Sequence, residues 1–236
     1  TERQLRQAHP DWRWEQPDEA TVTDGVLLHA HTQGHLRSLG LGRDFDADTP
    51  FFPGIGDHAR RAVAGALTAA ERAWSGVGPA FSLLRPPGHH ATRSTAMGFC
   101  YLNQIAVTAV VMAARPDVQR VAVWDFDAHH GNGTEAIVKG HDDILFASVH
   151  QSPGYPGTGW SDDGPRIRNW PVAPRTPRDQ HMAALQASWE AVLAFDPGLI
   201  LVSAGFDAYA RDPITAMTLE GEDFARLDRK STRLNS

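Results

Sequence analysis

Apolar positions along the chain fall into two kinds of pattern. The short continuous runs Ala80–Leu84, Arg120–Phe126, Ile144–Val149 and Leu199–Ser203 are rich in Val, Ile and Phe and do not alternate. Such runs fit strands covered on both faces, as in a parallel sheet. Between them lie stretches with helical character. Asp57–Trp74 has Ala and Leu at helical spacing, and Phe99–Ala114 is nearly all apolar and stops at Arg115-Pro116. Asp179–Phe195 begins after Pro177 and ends before Asp196-Pro197. Strands alternating with helices predict one α/β domain around a mostly parallel sheet. A further helix is expected from Thr218, as a possible N-cap, to Leu227, with Phe224 and Leu227 for packing.

Composition narrows the function. The 236 residues include 22 Lys plus Arg against 28 Asp plus Glu, a net charge of −6. That balance argues against non-specific nucleic-acid or anionic-membrane binding, which needs a basic face. The longest uncharged stretch, Ser94–Ala114, contains Asn103 and Gln104 and reads as a buried helix, not a membrane span. A single cysteine, Cys100, excludes an internal disulfide framework and fits a reducing compartment, so a cytoplasmic location is expected. No activating partner for Cys100 is evident, and it reads as a small buried hydrophobe. His29, His31 and His35 sit among polar residues and read as surface histidines, His150 as a pocket-mouth residue, and the tryptophans as packing.

The chemistry-bearing segment is Trp124-Asp125-Phe126-Asp127-Ala128-His129-His130-Gly131-Asn132-Gly133. It follows the strand Val121-Ala122-Val123. Side chains alternate along an extended chain, which puts Asp125, Asp127 and His129 on one side. The carboxyl end of a parallel strand is where α/β sheets bind ligands. Three such groups side by side are costly unless a cation binds them. A second cluster, Arg85-Pro86-Pro87-Gly88-His89-His90, places adjacent imidazoles beside a stiff turn and suits acid–base work. In a third, Ser203-Ala204-Gly205-Phe206-Asp207-Ala208, Asp207 leaves a strand end. Alone it reads as a helix cap; with Asp127 and His129 it completes a three-ligand set with an open position, the catalytic arrangement for zinc.

Together, Arg85–His90, Gly98-Phe99-Cys100-Tyr101-Leu102-Asn103, Asp125–Gly133 and Ala204–Ala208 resemble, in order, the signature blocks of the histone deacetylase and acetylpolyamine amidohydrolase family. Asn132, where many members have Asp, is similar to the class II and bacterial deacetylase-like branch. The resemblance implies the three-layer α/β/α arginase–deacetylase fold. It implies one zinc ion on Asp127, His129 and Asp207, with His89 and His90 as the tandem histidines. Asp125 would orient the first and Asn132 hydrogen-bond the second, leaving His90 the readier base. It further implies that Phe99 and Tyr155 wall an acyl-lysine slot, that the Gly98 carbonyl meets the substrate amide, and that Asp48 holds the substrate backbone at the rim. An inner monovalent-cation site, usually potassium, is implied at Asp125, Asp127, His129 and Ser148. The implied partner is an acetylated amine or acetyl-lysine substrate, hydrolysed to acetate and a free amine; an oligomer is compatible with the sequence.

The family's transition-state Tyr or His comes from a loop after the Asp207 block, and this chain ends before it. The expectation is one domain over residues 1–236, truncated at both ends, with Asp228–Ser236 as a non-native tail and weak or no turnover. Tyr209 does not match that loop. Two other functions compete. An arginase-like binuclear manganese hydrolase needs an Asp-x-His-x-Asp motif, but here His130 and Gly131 follow His129. A non-catalytic acyl-lysine binder is favoured only if the oxyanion donor is absent.

Overall fold

A computed structural model describes residues 2–232 of the chain. Among them, the helices are α1 (Glu2–Ala8), α2 (Asp24–Leu27), α3 (Gln33–Ser38), α4 (Ile55–Trp74), α5 (Gln104–Ala113), α6 (Asn132–Val138), α7 (Arg178–Ala194) and α8 (Gly221–Thr232). The strands are β1 (Val121–Asp125), β2 (Ile144–Gln151), β3 (Ile167–Val172) and β4 (Leu199–Ser203), ordered β3-β2-β1-β4 with every pair parallel.

Alternation along the strands divides the core into two layers. Val121, Val123, Ile144 and Phe146 pack with Val63 and Leu67 of α4 and Val107 of α5. Ala122, Trp124, Leu145 and Ala147 face Leu185, Trp189 and Val192 of α7 and Leu227 of α8. The result is a helix–sheet–helix arrangement, the expected three-layer α/β/α architecture. Its largest side chain on the α7 face, Trp124, is fully buried, and its indole N–H donates to Ser188 Oγ at 2.9 Å. In register, Asp125 lies opposite Ser148 on one side and Ser203 on the other. β1 and β4 therefore end level, so the residues after Asp125 and Ser203 emerge together, while β2 runs three residues further.

Several expected elements differ. Ala80–Leu84 forms no strand among the described residues; Phe81 and Leu83 are exposed, while Leu84 lies over Gly65 of α4. β3 is a further strand, half-exposed at the sheet edge, where Pro171 is tolerated because an edge residue need not donate on both sides. α5 starts at Gln104 rather than Phe99, because Asn103 Oδ1 caps it by accepting from Ala106 N at 2.9 Å. α8 starts at Gly221: Asp223 accepts from Glu220 N at 2.9 Å, while the Thr218 hydroxyl donates instead to Thr176 O. The Arg178 guanidinium grips the buried Asp223 carboxylate at 2.6 and 2.8 Å and ties α7 to α8. Helix α8 takes in residues 228–232 of the segment expected as a tail; residues 233–236 lie outside the described residues. No described helix is long and apolar enough to cross a membrane.

Candidate active site

The site is assembled at the carboxyl edge of the sheet. The tandem histidines lie in a loop whose carbonyls need partners, and α6 supplies them. The first amides of a helix have no partner within it, and those of Gly133 and Thr134 donate to His89 O at 3.0 and 3.1 Å. This approach requires glycine at 133, where a Cβ would come within 2.3 Å of Ala91 O.

Each imidazole is oriented by one partner. His89 Nδ1 lies 3.0 Å from Asp125 Oδ2, and His90 Nδ1 lies 2.8 Å from Asn132 Oδ1. The Asn132 amide nitrogen faces Met97 Sδ at 3.5 Å, so its oxygen is the atom turned to His90. The two rings sit 4.0 Å apart between centroids. Burial alone would lower the pKa of His89, but the carboxylates of Asp127 and Asp125 outweigh it and raise it to about 9. Burial, with the charge on His89, lowers His90 to about 3. One histidine is thus built to hold a proton and its neighbour to remain neutral.

Asp127, His129 and Asp207 meet beside this pair, with their ligand atoms all within 4.8 Å of one another. One oxygen of each carboxylate is anchored by the backbone: His129 N donates to Asp127 Oδ1 at 2.8 Å, and Ala128 N to Asp207 Oδ1 at 2.9 Å. His129 Nδ1 then lies 3.1 Å from Asp127 Oδ1 and 2.7 Å from Asp207 Oδ2. The three side chains keep 20%, 22% and 25% of their surface, enough for a further ligand to reach them. Burial lowers His129, but its hydrogen bonds to the two aspartates raise it to about 10. Burial likewise raises Asp127, and the His89 and His129 charges hold it well below the usual carboxylate range. The pocket therefore demands positive charge between two carboxylates. A divalent cation meets that demand and displaces the imidazole proton, so the donor set fits a metal. No other group of three or more His, Cys, Asp or Glu among the described residues is placed to hold one.

The slot above these groups starts from a tight turn. Met97 and Cys100 exchange backbone hydrogen bonds of 3.0 and 2.9 Å around Gly98 (φ 56°) and Phe99 (φ 65°). Two positive φ values make a type I′ turn. A left-handed Phe costs on the order of 1–2 kcal/mol, and Phe99 is held there by donating its N–H to Thr49 Oγ1 at 3.1 Å. Its ring stays exposed. At Gly98 a Cβ would lie 2.6 Å from His90 and 3.0 Å from Tyr155, so the bare backbone passes between them. The Tyr155 ring meets His90 edge-on at 5.0 Å. Burial and the nearby Asp46 and Asp48 raise its phenol to about 12.

The structure thus brings together His89, His90, Asp125, Asn132, Asp127, His129, Asp207, Gly98 and Tyr155, with Phe99 at the lip. Asp48 is exposed on the rim, and Asp46 shares its neighbourhood of Tyr155. Ser148 is buried beside Asp125 in the sheet, its hydroxyl 2.9 Å from His150 Nδ1. Cys100 is buried, and burial pushes its thiol well above the ordinary range.

Three expectations are corrected. His31 and His35 are buried, not on the surface: His31 bridges Thr92 O and Asn103 N, both at 2.9 Å, and His35 bonds Tyr101 O at 2.7 Å. His150 lies inside β2 and is fully buried, because that strand runs two residues past Val149. Asn103, Thr49 and Gly205 are supports that sequence patterns did not single out. A Cβ at Gly205 would come within 2.1 Å of Asp127 Oδ2.

The chain matches the histone deacetylase domain over residues 3–236 and belongs to the histone deacetylase family. It is 41% identical over 224 residues to an uncharacterised protein, slr0245, of Synechocystis, covering 91% of this chain and 74% of that one. It is 35% identical over 232 residues to a probable deacetylase of Archaeoglobus fulgidus, covering 93% of this chain and 64% of the relative. The crystal structure of an acetylpolyamine aminohydrolase from Burkholderia pseudomallei superposes with a TM-score of 0.86 at 26% identity, over 95% of this chain and 77% of that one.

Proposed function

We propose that the chain hydrolyses N-acetylated amines, whether acetyl-lysine, acetylpolyamines or similar small amides, at one zinc ion held by Asp127, His129 and Asp207. The single observation that carries this reading is the three-ligand cluster lying beside a neutral, oriented imidazole. Zinc, when bound, polarises an amide carbonyl and makes water a nucleophile near neutral pH.

The protein groups do the rest. His90 has Nδ1 committed to Asn132 Oδ1, so Nδ1 carries the hydrogen and Nε2 keeps its lone pair. Nε2 takes the proton of the attacking water and returns it to the leaving nitrogen as the C–N bond breaks, releasing acetate and a free amine. His89 is held against Asp125 with Nε2 3.9 Å from Asp127, where it steadies the charge that develops at the reacting carbonyl. The Gly98 carbonyl receives the substrate amide N–H, Phe99 and Tyr155 flank the alkyl chain, and Asp48 meets the substrate backbone at the rim. An inner potassium ion at Asp125, Asp127, His129 and Ser148 and a cytoplasmic location complete the reading. His130 is engaged by Thr158 and Glu135, which leaves it no part in a second metal set.

The test is a panel of acetylated lysines, polyamines and small amides, assayed for amine release by zinc-loaded protein. Release that needs zinc and is lost in Asp207→Ala supports the reading. Release unchanged by chelation or by Asp207→Ala refutes it.

A further inference from the structure

Tyr155 stands on a segment with no strand or helix of its own. The chain leaves β2, passes Ser152 and returns at Asp163, and its ends are pinned by Ser152 N to Val172 O and Asp163 N to Ile167 O, at 2.9 and 3.1 Å. The middle is held by two buried histidines. His130 Nε2 faces Glu135 Oε2 at 3.1 Å, and Asn169 Nδ2 donates to the same oxygen at 2.9 Å. With that N–H donated, Nδ1 of His130 accepts from the Thr158 hydroxyl at 2.7 Å. His150 Nδ1 accepts from the Ser148 hydroxyl at 2.9 Å, which leaves Nε2–H to donate to Gly159 O at 3.0 Å. The two rings lie 4.6 Å apart. Gly159 sits against both with φ of 76°; a Cβ there would come within 2.6 Å of each ring.

We propose that His130 and His150 are positioning residues that clamp the Tyr155 loop and so set how bulky an amine side chain the slot between Phe99 and Tyr155 admits. The proposal rests on the acyl-amine hydrolase reading. Its geometry is direct. Thr158 and Gly159 follow Tyr155 by three and four residues, so the tether leaves the ring little room to swing. On the other side, even a Cβ at Gly98 would lie 3.0 Å from the Tyr155 ring, so the bare Gly98 backbone bounds the ring closely. A clamped ring closes on an unbranched alkyl chain, and a released one gives way to a branched one. One methylene in a closed slot is worth roughly tenfold in discrimination.

The experiment uses the full, zinc-loaded chain with Thr158→Val, which removes the hydroxyl at nearly equal volume, and Gly159→Ala, which wedges the rings apart. Thr158→Ser restores the hydroxyl. Amide hydrogen exchange is followed over residues 152–163, and dissociation constants are measured for an acetyl-lysine peptide and for its analogue with a methyl branch on the lysine side chain, with zinc content as a control. The expected result is faster exchange in Thr158→Val and Gly159→Ala and a branched-to-unbranched affinity ratio raised roughly tenfold. Zinc stays at one per chain, and Thr158→Ser behaves as the parent. Unchanged loop exchange overturns the clamp whatever the protein binds. Faster exchange with an unchanged affinity ratio overturns its role in selection. A parent chain that binds neither peptide overturns the acyl-amine reading itself, and the exchange data still decide whether the clamp exists.

Discussion

Replacing Gly205 by alanine tests how tightly the metal cluster is built. A Cβ at position 205 would lie 2.1 Å from Asp127 Oδ2, 2.4 Å from its Cγ and 2.6 Å from its Cα. Carbon atoms normally meet no closer than about 3.5 Å, so Asp127 must recede by about 1 Å, backbone included. That backbone is not free to move. Asp127 N donates to Asp125 Oδ1 at 3.1 Å, and the next amide, Ala128 N, donates to Asp207 Oδ1 at 2.9 Å. The displacement therefore separates two of the three metal ligands. Overpacking of this kind costs about 1–3 kcal/mol of stability. Disturbing the support of metal ligands lowers affinity by about 10–100-fold. Competition against a chromophoric chelator gives the zinc dissociation constant, with circular dichroism to confirm folding. Gly221→Ala is the control, because a Cβ there meets nothing within 4 Å. A folded Gly205→Ala protein that binds zinc as tightly as the parent would refute the reasoning.

Other outcomes follow from the same geometry. His90→Ala should lower amine release by about 10²–10⁴-fold, the usual worth of a positioned base, with zinc content intact; near-normal turnover would show that another group takes the proton. Ser188→Ala strands the buried Trp124 indole N–H and should cost about 1–3 kcal/mol in a urea titration, and an unchanged midpoint would contradict the assigned bond. Burial lowers His31 to about 3, and His150 and His181 to about 4. The unfolded chain then binds more protons below its own histidine pKa of about 6.5, so stability is complete above pH 6.5 and falls as the pH drops toward 4. By pH 5 the loss is about 2 kcal/mol for each histidine. Urea midpoints that stay level from pH 7 to pH 5 would rule this out.

The parts of the fold that could be read from the sequence are those that form an unbroken apolar run. β1, β2 and β4 fall within the runs seen at Arg120–Phe126, Ile144–Val149 and Leu199–Ser203, give or take two residues. β3 escaped because it interleaves Ile167, Asn169 and Val172 with Arg168 and Pro171. Ala80–Leu84 has the composition of a strand, but no described strand pairs with it, and pairing is a tertiary fact. In the site, residues next to one another in sequence were the easy ones. Asp125, Asp127 and His129 share a strand end, and His89 and His90 share a turn. The supports come from afar: His31 reaches Asn103 across 72 positions, and Thr49 reaches Phe99 across 50. No local pattern marks a histidine among polar neighbours as buried. Gly205 and Gly159 are likewise defined only by what a side chain there would strike.

The central claim is that one divalent metal sits on Asp127, His129 and Asp207. Titrating the metal-free chain with zinc, with bound metal counted after gel filtration, tests it most directly. The account predicts saturation at one zinc per chain, and none retained at the same concentration by an Asp127→Ala, Asp207→Ala double variant that remains folded. Saturation at two per chain, or undiminished zinc in the double variant, would contradict it.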